Sequence, residues 1–397
     1  MIELPNTATP NAIEQCYRRL CAAGRPPVRL FSGNPNEHGI HFPSDLLRAA
    51  YAPYVAHPTY QPHPKGLLVA REAIAQYYGE AGLVLSPEHL ILTSGTSESL
   101  FYLFSLLASP GEAFLVPQPS YPLFHEIARL AHVALVPYQL DAACAWRLST
   151  DALKASYHPG VRGLVLVSPN NPTGAVLSAQ DIAAVVDWAN QKNLPLICDE
   201  VFSEFYFGSG QFPRPMAIGE PRLCCTLNGI SKMLALPALK LSWIAVTGEP
   251  SLRDAVLEHL ETMADAFLSC HQPIQMALPA LFEHGRSFLA EYRRTVARRR
   301  HVALATIGQH PVLHCAPPRG GFYVMLEVCT SSWEDDAFVM RLMEERGFFV
   351  HPGYFYDHEH GLHCVVSLLT SEESLQRGIA AIAALAESEG LCAQSRQ

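Results

Sequence analysis

The 397 residues carry 28 Lys and Arg against 37 Asp and Glu, a formal net charge of -9, and 49% are hydrophobic while 16% are charged. With no basic run, that balance excludes the electrostatic footprint of a nucleic-acid or anionic-membrane partner, and no stretch of about eighteen apolar residues is present to span a bilayer. Small molecules are the expected partners, and the apolar excess predicts burial that extends to a subunit interface.

The length accommodates two domains, one of them with a large sheet. Residues 1–10 have neither a positive start nor an apolar core, so no export signal is expected. Eleven cysteines, including Cys224 beside Cys225 and no CxxC pair, fit reduced buried thiols better than a disulfide framework or a zinc site. A cytoplasmic protein without a metal centre is the expectation.

Taken in chain order, the Pro-rich segment 25–43, with Gly33, Asn34 and Pro35, reads as an extended arm or loop. Between about residues 65 and 250, helical periodicity alternates with apolar runs at 89–93, 113–116, 163–167, 194–198 and 243–246. Runs that are apolar on both faces predict interior strands of a mostly parallel sheet, with helices such as 98–107 and 181–193 covering it. After residue 252 the texture changes to long helices at 256–268 and 286–306, then strands at 321–326 and 364–368 and a helix at 371–387. The fold class is therefore α/β, with a large domain over 44–283 and a smaller α+β domain formed by 284–397 together with the N-terminal arm, 1–43.

Polar clusters sit where the apolar runs end, and open parallel sheets bind ligands at the carboxyl ends of their strands. Ser94, Gly95, Thr96 and Ser97 lead into a helix, so free backbone N–H groups and the helix dipole could face an anion; the same residues also suit an ordinary N-cap. Residues 168–174 read SPNNPTG, a βα turn by composition. Asp199 and Glu200 follow a fully apolar run, where a carboxylate needs a cationic or hydrogen-bonding partner. Ser231 and Lys232 lie among the apolar Ile230, Met233 and Leu234.

The ordered set NNPTG, Asp199-Glu200 and Ser231-Lys232, with Pro237 and Lys240 following, resembles the signature of the class I/II aminotransferases, fold-type I pyridoxal 5'-phosphate enzymes similar to aspartate aminotransferase. The resemblance runs from about residue 30 to the last helix. It implies that Lys232 forms the Schiff base with the cofactor and shuttles the substrate proton, while Asp199 keeps the pyridine nitrogen protonated. Asn171 would bond the phenolic oxygen and contact substrate, and Tyr121 would stack on the ring and take part in catalysis. Gly95, Thr96 and Ser97 would surround the phosphate with Lys240 as counter-charge, Ser231 and Phe202 would also belong to the cofactor site, and Tyr60 would reach the phosphate of a neighbouring subunit, which requires a homodimer. Gly33 and Asn34 would close over the substrate, and Glu200 reads as structural.

Three positions depart from the pattern. Phe202 replaces a Tyr that would bond the phenolic oxygen, and Lys240 replaces an Arg, keeping charge without the fork geometry. Val365 stands where an Arg would clamp the substrate's α-carboxylate, with Arg319, Lys65 and Arg18 as candidate substitutes. The implied activity is transfer of an amino group from a donor, such as an amino acid, to an oxo acid through pyridoxamine phosphate. Val365 leaves a pyridoxal-phosphate lyase, cyclase or decarboxylase as the alternative. A regulatory cofactor-binding domain has little support, because no helix-turn-helix segment precedes residue 30.

Overall fold

The apolar runs pair as a seven-stranded sheet in the computed structural model, which describes residues 11–330 and 333–388. Residues 1–10, read above for an export signal, lie outside the described residues. In chain order the strands are β1 (Leu90–Thr93), β2 (Ala113–Gln118), β3 (Ala134–Gln139), β4 (Val161–Val167), β5 (Leu196–Asp199), β6 (Leu223–Gly229) and β7 (Ser242–Gly248). Their order across the sheet is β1-β7-β6-β5-β4-β2-β3, with β7 antiparallel to both neighbours and every other pair parallel. Strand β1 therefore runs in the same direction as β2 to β6, and the carboxyl ends of these strands share one edge.

Side chains alternate across a strand, and here both sets are apolar. Ile91, Val165, Ile197, Leu227 and Ile244 face one core, with the helices Thr96–Leu107, Leu123–Leu130 and Pro250–Phe267 packed on it. Leu90, Leu92, Trp243 and Ala245 face the other, beneath Leu68–Glu80 and Gln272–His284. A double-sided core makes the sheet central and holds its strand ends rigid.

Two strands of this sheet were not expected from the sequence. The run at β6 is wholly buried and, apart from Thr226, apolar through Leu227; Asn228 and Gly229 disguise its end as a loop. Strand β3 is a largely exposed edge with Pro137 inside it, a position where Pro is tolerated because one side of the ladder is open.

By Cα packing the chain divides into two units, the larger comprising Asn34–Ala297 with Ala316–Phe322, and the smaller comprising described residues up to Gly33, Arg298–Cys315, and Tyr323 onward. Taken by itself, the smaller unit holds a four-stranded antiparallel sheet of β8 (Leu313–His314), β9 (Tyr323–Val328), β10 (His351–Pro352) and β11 (His363–Ser367), ordered β10-β11-β9-β8. Its helices include Ala12–Ala22 and Glu372–Glu387. The arm segment is mostly irregular as expected, apart from a two-residue strand, Val28–Arg29, and a 3-10 turn, Pro35–His38.

Candidate active site

Each predicted cluster of the larger unit follows the carboxyl end of a parallel strand. Tyr121 comes after β2, Asn171 after β4, Asp199 ends β5, Lys232 comes after β6, and Gly95 after β1. Strand order thus gathers residues that are up to 137 positions apart in the chain (232 − 95).

Asp199 and Lys232 form the electrostatic centre. Burial lifts the Asp199 carboxyl from 3.8 to about 6, against the opposing pull of the Val201 N–H and the Lys232 ammonium; that N–H donates to Asp199 Oδ1 at 3.1 Å. Burial likewise lowers the Lys232 pKa, with the Asp199 carboxylate acting in the other direction. Asp199 is buried and Lys232 half-buried, within electrostatic reach of one another, and desolvation favours the neutral form of each. The Tyr121 hydroxyl is pushed up by burial and by the same carboxylate, and its ring meets Phe124 edge-on at 5.8 Å. Asp199, Lys232 and Tyr121 are therefore brought together.

The turn carrying Asn171 is clamped by its own backbone. Asn170 N–H donates to the Ala175 carbonyl at 2.8 Å, Gly174 N–H to the Asn170 carbonyl at 2.9 Å, and Arg319 N–H to the Gly174 carbonyl at 2.8 Å. The Asn171 amide oxygen is buried with no hydrogen-bond partner. A buried polar atom without a partner is rare in a native fold and leaves this amide capacity for a bound group.

The helix Thr96–Leu107 presents its free N–H groups behind Gly95, and Lys240 Nζ lies 3.3 Å from where a Cβ on Gly95 would stand. Helix N-terminus and ammonium converge there, a suitable seat for a phosphate. Thr93 Oγ1 and Ser99 Oγ, both buried and 2.7 Å apart, pin the helix to β1. Ser231 is half-buried at the start of the short helix Ile230–Met233, beside Lys232. This donor set (an amine, a carboxylate, an aromatic face, an unpartnered amide and an anion seat) fits pyridoxal phosphate.

The other predicted residues fall elsewhere. Tyr60 is 74% exposed. Asn34 is engaged in the arm's turn, accepting from the Asn36 N–H at 3.2 Å, and Gly33 belongs to the smaller unit. Phe202 is buried and packs edge-on against Phe322 at 4.9 Å. Val365 is wholly buried in β11. Of the candidate substitute cations, Lys65 pairs with Glu88 at 3.4 Å and Glu261 at 3.5 Å, and Arg18 with Glu14 at 2.6 Å. Both side chains are thus ion-paired within the chain.

Sequence reasoning did not find Arg214, which forms a buried ion pair with Glu200 and lies 5.4 Å over the Tyr78 ring. It gave no role to Asn228, whose Nδ2 donates to Ser203 Oγ at 3.2 Å and whose Oδ1 accepts from the Gly229 N–H at 2.8 Å. An Asn ending a mostly apolar run was the available signal for the latter; nothing local pointed to the former. A cavity of about 810 Å³ in this unit is lined by residues that include Tyr77, Glu204, Phe282 and Arg293. Asp199, Lys232, Asn171 and Tyr121 do not line it.

Comparison with known proteins agrees with the chemistry. The family model "Aminotransferase class I and II" matches residues 59–382. The chain is 29% identical over 317 residues to a glutamate-pyruvate aminotransferase of Escherichia coli, covering 78% of this chain and 77% of the relative. It is 27% identical to an alanine aminotransferase of Mycobacterium bovis, covering 78% and 73%. Among solved structures, an aspartate aminotransferase of Thermus thermophilus matches with a TM-score of 0.85 at 25% identity, over 97% of this chain and 100% of that one. An alanine aminotransferase of Pyrococcus furiosus shares the fold at a TM-score of 0.87 and 22% identity, over 94% and 95%. Nothing in these relatives favours a lyase, cyclase or decarboxylase.

Proposed function

Because the chain belongs to the class I and II aminotransferases, we propose that Lys232 is the amine that bonds pyridoxal phosphate and then moves the substrate proton. The protein is a pyridoxal-phosphate-dependent aminotransferase that passes an amino group from an amino donor to an oxo acid. When bound, the cofactor supplies an electron sink for the carbon that loses its proton.

The observation that carries the assignment is the half-buried Lys232 within electrostatic reach of the buried Asp199 carboxyl. Burial raises the share of Lys232 amine that is neutral, the form able to attack a carbonyl or accept a proton. Asp199, held where its charge is poorly solvated, gains most from a cationic ring nitrogen placed against it. Asn171, whose amide oxygen is unpartnered, would orient the ring, Tyr121 would cover one ring face, Gly95, Thr96, Ser97 and Lys240 would hold the phosphate, and Ser231 would contact the cofactor beside Lys232.

Tyr60, with the exposed Val55, Leu68 and Val69 in the same stretch of chain, supplies an apolar and hydroxyl-bearing face suited to a second copy. Its hydroxyl would complete the phosphate site of that copy, making the active form a homodimer. The described cysteines are free thiols, in keeping with a cytoplasmic location. Gly33 and Asn34 would act on the substrate from the arm.

A panel of α-amino acids and carboxylate-free amines, added to the holoprotein without an oxo acceptor, tests this reading through the cofactor's visible absorbance. Donors should bleach the band in the wild type and not in Lys232→Ala. Bleaching by α-amino acids would show that another group substitutes for the Arg missing at Val365. Bleaching by carboxylate-free amines alone would make Val365 the determinant of the donor class. A band that no donor changes would refute the proposal.

A further inference from the structure

A separate cavity of the larger unit, about 330 Å³, has walls that include Tyr138, Leu140, Trp146 and Leu166 and also meets Arg147 and Arg319. Lys232, Asp199, Asn171 and Tyr121 do not line it, whereas Asn170 and Ala175 do. The turn that carries Asn171 is therefore one of its walls.

Two features distinguish it from a packing void. The consecutive residues Ala145 and Trp146, both lining the cavity, have φ of 56° and 61°, a left-handed conformation uncommon for residues with a Cβ and an outlier for a bulky one. They are held so by a closed loop: Trp146 N–H donates to the Asp141 carbonyl at 2.7 Å, Arg147 N–H to the Cys144 carbonyl at 3.2 Å, and Asp141 N–H to the Arg147 carbonyl at 3.1 Å. Backbone strain that the surroundings over-determine gathers at ligand clamps.

The second feature is an uncommitted charge. Arg147 is used by Asp181, which accepts from Nη2 at 2.6 Å and from Nε at 2.9 Å, and the other Asp181 oxygen accepts from Ser178 Oγ at 2.6 Å. Among the described residues, no carboxylate lies within ion-pair distance of Arg319. Its main chain is meanwhile fixed to Gly174. A chamber with an apolar wall of Tyr138, Leu140, Trp146 and Leu166, and with a guanidinium on its polar side that no carboxylate of the described residues engages, suits an apolar body that ends in an anion.

We propose that this cavity is a second small-molecule site, which takes a carboxylate with an aromatic or branched apolar body, the carboxylate on Arg319 and the body against Trp146 and Leu140. A chamber of this size admits a molecule of about ten heavy atoms. The site is distinct from the one that binds the cofactor, although both share the 168–174 turn.

The test is a fluorescence titration of the holoenzyme with sodium 3-phenylpropionate, using 3-phenylpropan-1-ol as the uncharged probe and Trp146→Phe to assign the signal. The acid should give a saturable Trp146 response, and the alcohol one at least tenfold weaker. Arg319→Gln should weaken the acid at least tenfold, and Ala175→Leu, which fills the cavity from the turn side, should abolish its binding. Arg319 is exposed and Ala175 half-buried, so both variants should retain the wild-type circular dichroism. Equal affinity for acid and alcohol, or an unchanged response in Arg319→Gln, would overturn the proposal. So would the absence of a Trp146 response, or displacement of the acid by an amino donor, which would place it at the cofactor site.

Discussion

Replacing Asp199 with Asn is expected to stabilise the cofactor-free protein while weakening its hold on the cofactor. Burial lifts the Asp199 pKa from 3.8 to about 6, so the folded chain binds this proton more tightly than the unfolded chain. The stability tied to the neutral carboxyl is therefore fully present below 3.8 and is lost as pH rises through about 6. At ~1.36 kcal/mol per pKa unit, the ionised group costs about 3 kcal/mol at pH 8 and about 1 kcal/mol at pH 4.5. An amide has no charge to desolvate, and its Oδ1 can still accept from the Val201 N–H. Urea unfolding of the cofactor-free Asp199→Asn protein should show a gain near those values at the two pH settings. Titration with pyridoxal phosphate should show at least tenfold weaker binding, about 1.4 kcal/mol. A gain of equal size at both pH values, or a loss at pH 8, would refute the argument, because only a titrating buried charge produces the difference.

Three further outcomes are expected. Arg214→Met leaves the Glu200 carboxylate, itself 1% exposed, without its cation and should cost about 3–5 kcal/mol; Glu200→Leu added to it should restore most of that loss in the same urea assay. Gly174→Ala forces a Cβ to 2.3 Å from Pro318 Cβ at a φ of +68°, so thermal unfolding should report a loss of about 1–3 kcal/mol. Tyr60→Phe should leave the unfolding midpoint unchanged, since the side chain is 74% exposed, while pyridoxal phosphate affinity falls several-fold; unchanged affinity would argue against a shared phosphate site.

By itself the sequence determined the class of chemistry and the framework that carries it. Alternating apolar runs and helices identified a doubly covered, mostly parallel sheet, because two-sided burial writes itself into every residue of a strand. The polar residues at strand ends marked the site, because the local turn and its side chains are contiguous in the chain. Where local signals conflicted, as at β6 with its terminal Asn228-Gly229 and at the Pro-bearing edge β3, the strand was decided by its neighbours in the sheet.

The tertiary structure alone decided which charges are spent and which are left. Glu200 finds Arg214, Lys65 finds Glu88 and Glu261, and Arg147 finds Asp181, while Arg319 finds no carboxylate among the described residues. The perturbed carboxyl of Asp199 and the left-handed pair Ala145-Trp146 arise likewise from what surrounds them. Residue type sets what a side chain can do, but desolvation and Coulomb energy depend on distances across the fold, which sequence separation does not encode.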